Sequence, residues 1–308
     1  MGYEKMMKTT KRLISVLCIC MLCFGLVACG NNAATTGDPS NTVVRVGSKN
    51  FTENFILAEI FAIALEDAGI TVERNFGLSS AVIHTAITSD EVDLYPEYTG
   101  TGLLAVLGLP LETDPQKVYD IVKQQYLEQF NIVWLDYAQA SNSQALVVTR
   151  RISEELGITT ISDLQAHATS IRFASQGEFD HREDGIPLLT EVYGPFDWAS
   201  TRVIDNALKY EVLRNDEADA APAYSTEGQL LSEDFVLLKD DLQAWPPYNI
   251  APIIRQQTLD IFPEIADILN RIMAVLDNET MIQLNARVDV DQEEYAAVAR
   301  DFFNSLAR

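Results

Sequence analysis

Basic residues are scarce in this 308-residue chain: 22 Lys and Arg stand against 45 Asp and Glu, a formal charge of −23. So acidic a surface is wrong for a nucleic-acid groove or a layer of anionic lipid headgroups. Histidine is rarer still, and His84, His167 and His181 show no HExxH, HxH or Cys-partnered spacing. His84 sits in an apolar helical stretch and reads as packing. The sequence has no P-loop, no GxGxxG after a strand and no GxSxG elbow, and without a nucleophile–base pair or a metal cluster it reads as a non-enzyme with no cofactor. Acidic clusters such as Asp216–Asp219 and Asp289–Glu294 read as solvated faces or helix caps. Cysteine is confined to the N-terminal region, as Cys18, Cys20, Cys23 and Cys29. What the chain does have is an ordinary globular composition, 47% apolar with 15 Gly and 11 Pro, and enough length for two domains.

The N-terminus reads as an export signal. Lys5, Lys8, Lys11 and Arg12 precede an apolar run from Leu13 to Phe24, too short to span a bilayer, and the run ends in Leu26-Val27-Ala28-Cys29. That tetrapeptide resembles the bacterial lipobox, so residues 1–28 are expected to be removed and Cys29 to be acylated. Residues 29–42 carry no large apolar group and read as a tether. With its only remaining cysteine lipidated, the folded part has no disulfide framework and no thiolate metal site. The expected product is a protein held by lipid at the extracytoplasmic face of a bacterial cell membrane.

Beyond Val43 strands and helices alternate, which predicts an α/β fold. Strands are expected at Val43–Val46, Ile70–Phe76, Val92–Tyr95, Ile132–Leu135, Ala145–Thr149 and Ile171–Ala174. Helices are expected at Asn54–Ala68 with Asn54 as N-cap, Ser80–Thr88, Asp114–Phe130, Val203–Arg214, Ile265–Leu276 and Gln292–Leu306. One internal similarity organises them. Residues 90–99, DEVDLYPEYT, match residues 216–225, DEADAAPAYS, at five of ten positions. Two similarly built lobes would each present a tyrosine, Tyr98 or Tyr224, at the carboxyl end of a strand, where α/β sheets place ligands. Tyr248 closes Trp245-Pro246-Pro247-Tyr248, again behind backbone stiffened by proline. Rings held in this way suit a cation that cannot be hydrogen-bonded, such as a quaternary ammonium, at ~0.5–2 kcal/mol for each desolvated contact. Half-buried core tyrosines with satisfied hydroxyls are the plainer reading of the residue types.

Four segments in order carry a family resemblance: Val46-Gly47-Ser48-Lys49-Asn50-Phe51-Thr52-Glu53, then Asp93 to Gly102 (DLYPEYTGTG), then Phe179 to Gly185 (FDHREDG), and Leu238-Lys239-Asp240-Asp241 with Pro246-Pro247-Tyr248. Together they resemble the substrate-binding proteins of osmoprotectant ABC importers, whose ligands include glycine betaine, carnitine and choline. The resemblance runs from about Val43 to the C-terminus. It implies a two-lobed periplasmic-binding-protein fold (type II), with lobe 1 at 43–143 plus 250–308, lobe 2 at 144–249, and crossings near Ser143–Leu146 and Tyr248–Ala251. It implies a monomer that hands its ligand to a membrane permease driven by an ATPase. In such proteins the trimethylammonium group sits in an aromatic cage, here matched by Tyr98, Tyr224 and Tyr248. The ligand carboxylate is held by positions matching Lys49, Thr101 and Arg182. The planar fork of Arg182 and the point charge of Lys49 suit that task; a salt bridge from Arg182 to Glu183 or Asp184, and a surface position for Lys49, are the alternatives.

One departure stands out. Where the family usually carries a fourth cage tyrosine, this chain has Gln144 in Ser141-Asn142-Ser143-Gln144-Ala145-Leu146. Three walls should hold a bare trimethylammonium more weakly unless Phe51 or Tyr137 moves in. Gln144 also adds a donor and an acceptor that a larger, more polar ligand could use. Some relatives bind ergothioneine, and a sensory protein without a transporter would use the same fold. Thr101, where choline-restricted relatives can carry an acid, favours a ligand with a carboxylate.

Overall fold

A computed structural model describes residues 42–306; the export signal and Cys29 lie outside them. Among the described residues, ten strands form two five-stranded sheets. The first contains β1 (Val44–Lys49), β2 (Val72–Leu78), β3 (Leu94–Tyr98) and β4 (Ile132–Trp134), and the second β5 (Gln144–Thr149), β6 (Arg172–Ser175), β7 (Ser200–Val203), β8 (Ala220–Tyr224) and β9 (Phe235–Leu237). The last strand, β10 (Ile250–Arg255), returns to the first sheet.

The two sheets share one plan. Strand order is β2-β1-β3-β10-β4 in the first and β7-β6-β8-β5-β9 in the second. In each, three strands run parallel and the fourth, β10 or β5, runs antiparallel to both its neighbours. The repeated segments 90–99 and 216–225 therefore supply equivalent strands, β3 and β8. Their aspartates do equivalent work. Asp93 accepts the backbone N–H and Nε of Arg45 at 2.8 and 2.9 Å, and Asp219 those of Arg172 at 2.9 Å each. Asp90 and Asp216, both at positive φ, make the turn into each strand. Asp219 is thus a buried anchor and departs from the expected solvated face.

Helix Thr52–Asp67 is apolar on nearly every side and is accordingly buried, with Ile56, Leu57, Ile60, Phe61 and Ile63 inside the core. Its cap differs from expectation: Phe51 is the N-cap and has no side-chain cap bond. Asn54 is buried inside the helix, accepting the Lys49 N–H at 2.6 Å and donating to the Pro96 carbonyl at 2.9 Å. It ties the ends of β1 and β3 together, which a cap position would not allow. Residues 203–214 also depart from a single helix. Val203 ends an edge strand, a short 3-10 turn follows at Asn206–Leu208, and only Lys209–Arg214 is α-helical. Asp205 caps that turn by accepting the Ala207 N–H at 2.9 Å, and so breaks the run. The final helix begins at Tyr295, after Gln292 at φ 60°.

The chain passes between the sheets twice, after β4 and after β9, and the two passes run side by side. Ser141 and Asn249 form an antiparallel bridge, Asn142 donates its N–H to the Tyr248 carbonyl at 3.0 Å, and the Tyr248 N–H reaches Ser141 Oγ at 3.0 Å. Among the described residues no helix is long and apolar enough to cross a membrane.

Candidate functional site

The strand ends meet at these crossings. Tyr98 ends β3 opposite Ile250, and Tyr224 ends β8 opposite Gln144, so both tyrosines stand where each sheet gives way to a loop. Tyr248 lies on the second crossing. Its ring is packed against the backbone of Gly100; a Cβ there would lie 2.8 Å from three ring carbons. Glycine is needed at this position to let the ring approach.

All seven residues expected at the site, Lys49, Tyr98, Thr101, Gln144, Arg182, Tyr224 and Tyr248, line one cavity between the sheets, together with Phe51, Ser80 and Asn142. Its volume is about 20 Å³, room for roughly one water. Phe51 accounts for much of the filling. Its ring centroid is 5.7 Å from that of Tyr224 and 6.0 Å from that of Tyr98. Of the two aromatics considered as a fourth wall, Phe51 is at the cavity; Tyr137 packs against Tyr119 at 4.8 Å and bonds Gln116 instead.

Lys49 is buried, Arg182 is half-buried, and both are already paired. Lys49 is 2% exposed, which excludes a surface position, and its Nζ bonds Glu97. Burial pulls its ammonium below the usual lysine range, and Glu97 opposes the drop. Glu97 is itself held by Tyr95 Oη at 3.0 Å and by the Tyr98 N–H at 2.7 Å. Arg182 makes the salt bridge to Asp184, its Nε and Nη2 each donating at 2.7 Å. Burial works against the guanidinium charge, but Asp184 outweighs it and raises the pKa. Burial likewise opposes the Asp184 charge, and Arg182 prevails, holding that carboxyl below its ordinary value. Asp184 also accepts Tyr248 Oη at 2.8 Å and Gln144 Nε2 at 3.5 Å. The Nη1 end of Arg182 carries none of these bonds. Among the described residues the Thr101 hydroxyl has no hydrogen-bond partner. Burial lifts the Tyr98 and Tyr248 phenols well above the usual range and Tyr224 to about 12, so all three rings stay neutral at physiological pH.

Glu53 lies beside this cavity and was not singled out as a site residue from sequence. It takes four hydrogen bonds, from Tyr98 Oη (2.9 Å), Asn142 Nδ2 (2.8 Å), Thr226 Oγ1 (2.5 Å) and Asn285 Nδ2 (2.9 Å). Burial raises its pKa even against those donors. Glu97 has no role expected from sequence, and Asp184 enters there only as an alternative partner of Arg182, although both fall inside the quoted motifs. Their signal was position: each sits within two residues of an expected ligand-binding side chain. The two cations that line the cavity are each matched by one carboxylate, Glu97 for Lys49 and Asp184 for Arg182, and Glu53 is a third buried carboxylate beside them.

Residues 42–305 match the family described as the substrate binding domain of ABC-type glycine betaine transport systems. The chain belongs to that family. A glycine-betaine-binding protein of Pseudomonas aeruginosa is 36% identical over 294 residues, covering 92% of each chain. The ergothioneine transport permease/ergothioneine binding protein EgtU of Helicobacter pylori is 31% identical over 264 residues, covering 85% of this chain and 47% of that longer one. A crystal structure described as a glycine betaine/carnitine/choline ABC transporter superposes with a TM-score of 0.70 at 26% identity, covering 85% of this chain and 98% of the other. The two-lobed periplasmic-binding-protein architecture follows from these matches and from the paired sheets.

Proposed function

We propose that this protein captures a quaternary-ammonium osmoprotectant (glycine betaine, carnitine, choline or a related betaine) between its lobes and delivers it to the permease of an ABC importer. The observation that carries this reading is the convergence of three tyrosines, a lysine and an arginine from both sheets on one cavity. Tyr98, Tyr224 and Tyr248 form the cation cage beside Gln144, with Phe51 as an added wall, and Arg182, Lys49 and Thr101 hold the carboxylate. A zwitterion suits a site whose lining cations are each already paired with a carboxylate. Its carboxylate adds to the Nη1 end of Arg182, and its cation meets ring faces that need no counter-charge.

Closure is the working step. Contacts made from both lobes stabilise the shut form over the open one, and the paired crossings at Ser141 and Asn249 are the natural hinge. The lobes are residues 43–143 with 250–308, and 144–249. The ligand's methyl groups enter among the cage rings when the cleft opens, and closure brings the rings onto them. Outside the described residues, the lipobox at Leu26–Cys29 anchors a monomer to the extracytoplasmic face of the membrane by an acylated Cys29.

Isothermal titration with glycine betaine, carnitine, choline and ergothioneine tests the ligand class. Binding of at least one of them, abolished by Tyr98→Ala or Tyr224→Ala, is the expected result. No heat and no thermal shift from any of them would remove the quaternary-ammonium reading. Anchoring is checked separately: Cys29→Ala should release the protein from the membrane fraction.

A further inference from the structure

The first crossing brings two amides to the cavity wall. Asn142 and Gln144 are each 5% exposed and both line the cavity. Each has its nitrogen end fixed by a carboxylate: Asn142 Nδ2 donates to Glu53 Oε1 at 2.8 Å and Gln144 Nε2 to Asp184 Oδ2 at 3.5 Å. Turning either amide over would set its oxygen against a carboxylate oxygen, so the orientation follows from the chemistry. The oxygens are thereby directed elsewhere, and neither Asn142 Oδ1 nor Gln144 Oε1 has a hydrogen-bond partner. Gln144 stands opposite Tyr224 in register, so the two side chains share one face of the second sheet. Two residues of the cavity lining therefore carry unpartnered acceptors, and Gln144 is the one at the position where a ring would otherwise complete the cage.

We infer that the pocket selects a betaine carrying its own N–H or O–H donor, with Gln144 as the specificity-determining acceptor and Asn142 as the second. This rests on the quaternary-ammonium reading and sharpens it. Glycine betaine has methyl groups and a carboxylate but no donor, so enclosing it leaves both buried oxygens unsatisfied. A betaine with a hydroxyl or a ring N–H satisfies at least one of them. Such ligands are longer, and there is space for them: Phe51, Ser80, Asn142 and Tyr224 also line a neighbouring cavity of about 620 Å³. An unsatisfied buried acceptor lowers affinity by about tenfold or more, and sites built to bond a donor reject analogues that lack it.

Titration of the protein with glycine betaine, γ-butyrobetaine, L-carnitine and trimethylhistidine tests this, since carnitine differs from γ-butyrobetaine by one hydroxyl and trimethylhistidine adds a ring N–H. At least one donor-bearing ligand should bind about tenfold or more tightly than its donor-free counterparts. Gln144→Met keeps the length and removes the acceptor; it should erase most of that preference. Gln144→Tyr, the second variant, should turn the preference toward glycine betaine. Glycine betaine binding as tightly as every donor-bearing ligand would overturn the inference and leave the proposed function standing, as would an unchanged preference in both variants. No heat from any of the four ligands would overturn both.

Discussion

Glu53 offers the most demanding test, because one side chain there collects donors from both halves of the fold. Tyr98 and Asn285 come from the first-sheet side, Asn142 from the crossing and Thr226 from the loop after β8 of the second sheet. Glu53 is 2% exposed. Glu53→Ala would leave Tyr98 Oη, Asn142 Nδ2 and Thr226 Oγ1 without an acceptor, at about 1–3 kcal/mol each before relaxation, while Asn285 Nδ2 keeps its bond to the Thr226 carbonyl. Water entering the adjoining cavity recovers part of this, so a net loss of about 3 kcal/mol or more is expected, or a fall of about 6–12 °C in Tm for a protein of this size. Thr226→Val is the finer cut. It keeps the side-chain volume and removes only the hydroxyl bond to a carboxylate, worth about 1.5–3 kcal/mol. Because that bond joins the two sheets, its loss falls on the closed form, and ligand affinity should drop by about tenfold or more as the open form gains population. Calorimetric melting and titration of both variants measure the two effects. A Glu53→Ala protein within about 1 kcal/mol of wild type, or a Thr226→Val protein with unaltered affinity, would refute the claim that Glu53 holds the halves together.

Gly100→Ala should push a methyl into the Tyr248 ring, costing about 1–3 kcal/mol of stability and weakening ligand binding in the same titration. Arg182→Lys cannot keep the two-point grip on Asp184, so affinity for a carboxylate-bearing ligand should fall about tenfold or more while an alcohol such as choline is affected less. The Asp184 carboxyl lies below its ordinary value of 3.8 because Arg182 outweighs burial. Its contribution is therefore present above pH 3.8 and lost as pH falls through the folded value. Asp184→Asn should be less stable than wild type at pH 5, with the gap closing as pH falls further; a gap that stays constant down to pH 2 in thermal melts would contradict that assignment.

Much of this protein is legible along the chain. Short-range physics explains why: alternation set the strands, and the repeat at 90–99 and 216–225 announced two sheets of one plan, because each copy carries its own turn, anchoring aspartate and strand-end tyrosine. The motifs likewise pointed to seven side chains that meet at one cavity. What went unread depends on long-range pairing. Asn54 reads as a helix cap from its neighbours, but the Lys49 N–H and the Pro96 carbonyl claim its amide across the β1–β3 junction. Residues 203–214 have helical periodicity, yet β6 pairs with Ser200–Val203 and Asp205 caps the turn that follows.

The sequence by itself determined which residue types are at hand: three tyrosines each close behind a proline, one lysine, one arginine, and a glutamine where the family usually has a ring. Only the tertiary structure decided their electrical and hydrogen-bonding state. It pairs Lys49 with Glu97 and Arg182 with Asp184, sets Phe51 between two tyrosines, and gathers four donors on Glu53. Those outcomes depend on which groups share a buried space. Desolvation makes a partner obligatory for every buried charge, and the partners come from segments as far apart as Glu53 and Asn285. Local sequence pattern carries no information about such distant neighbours.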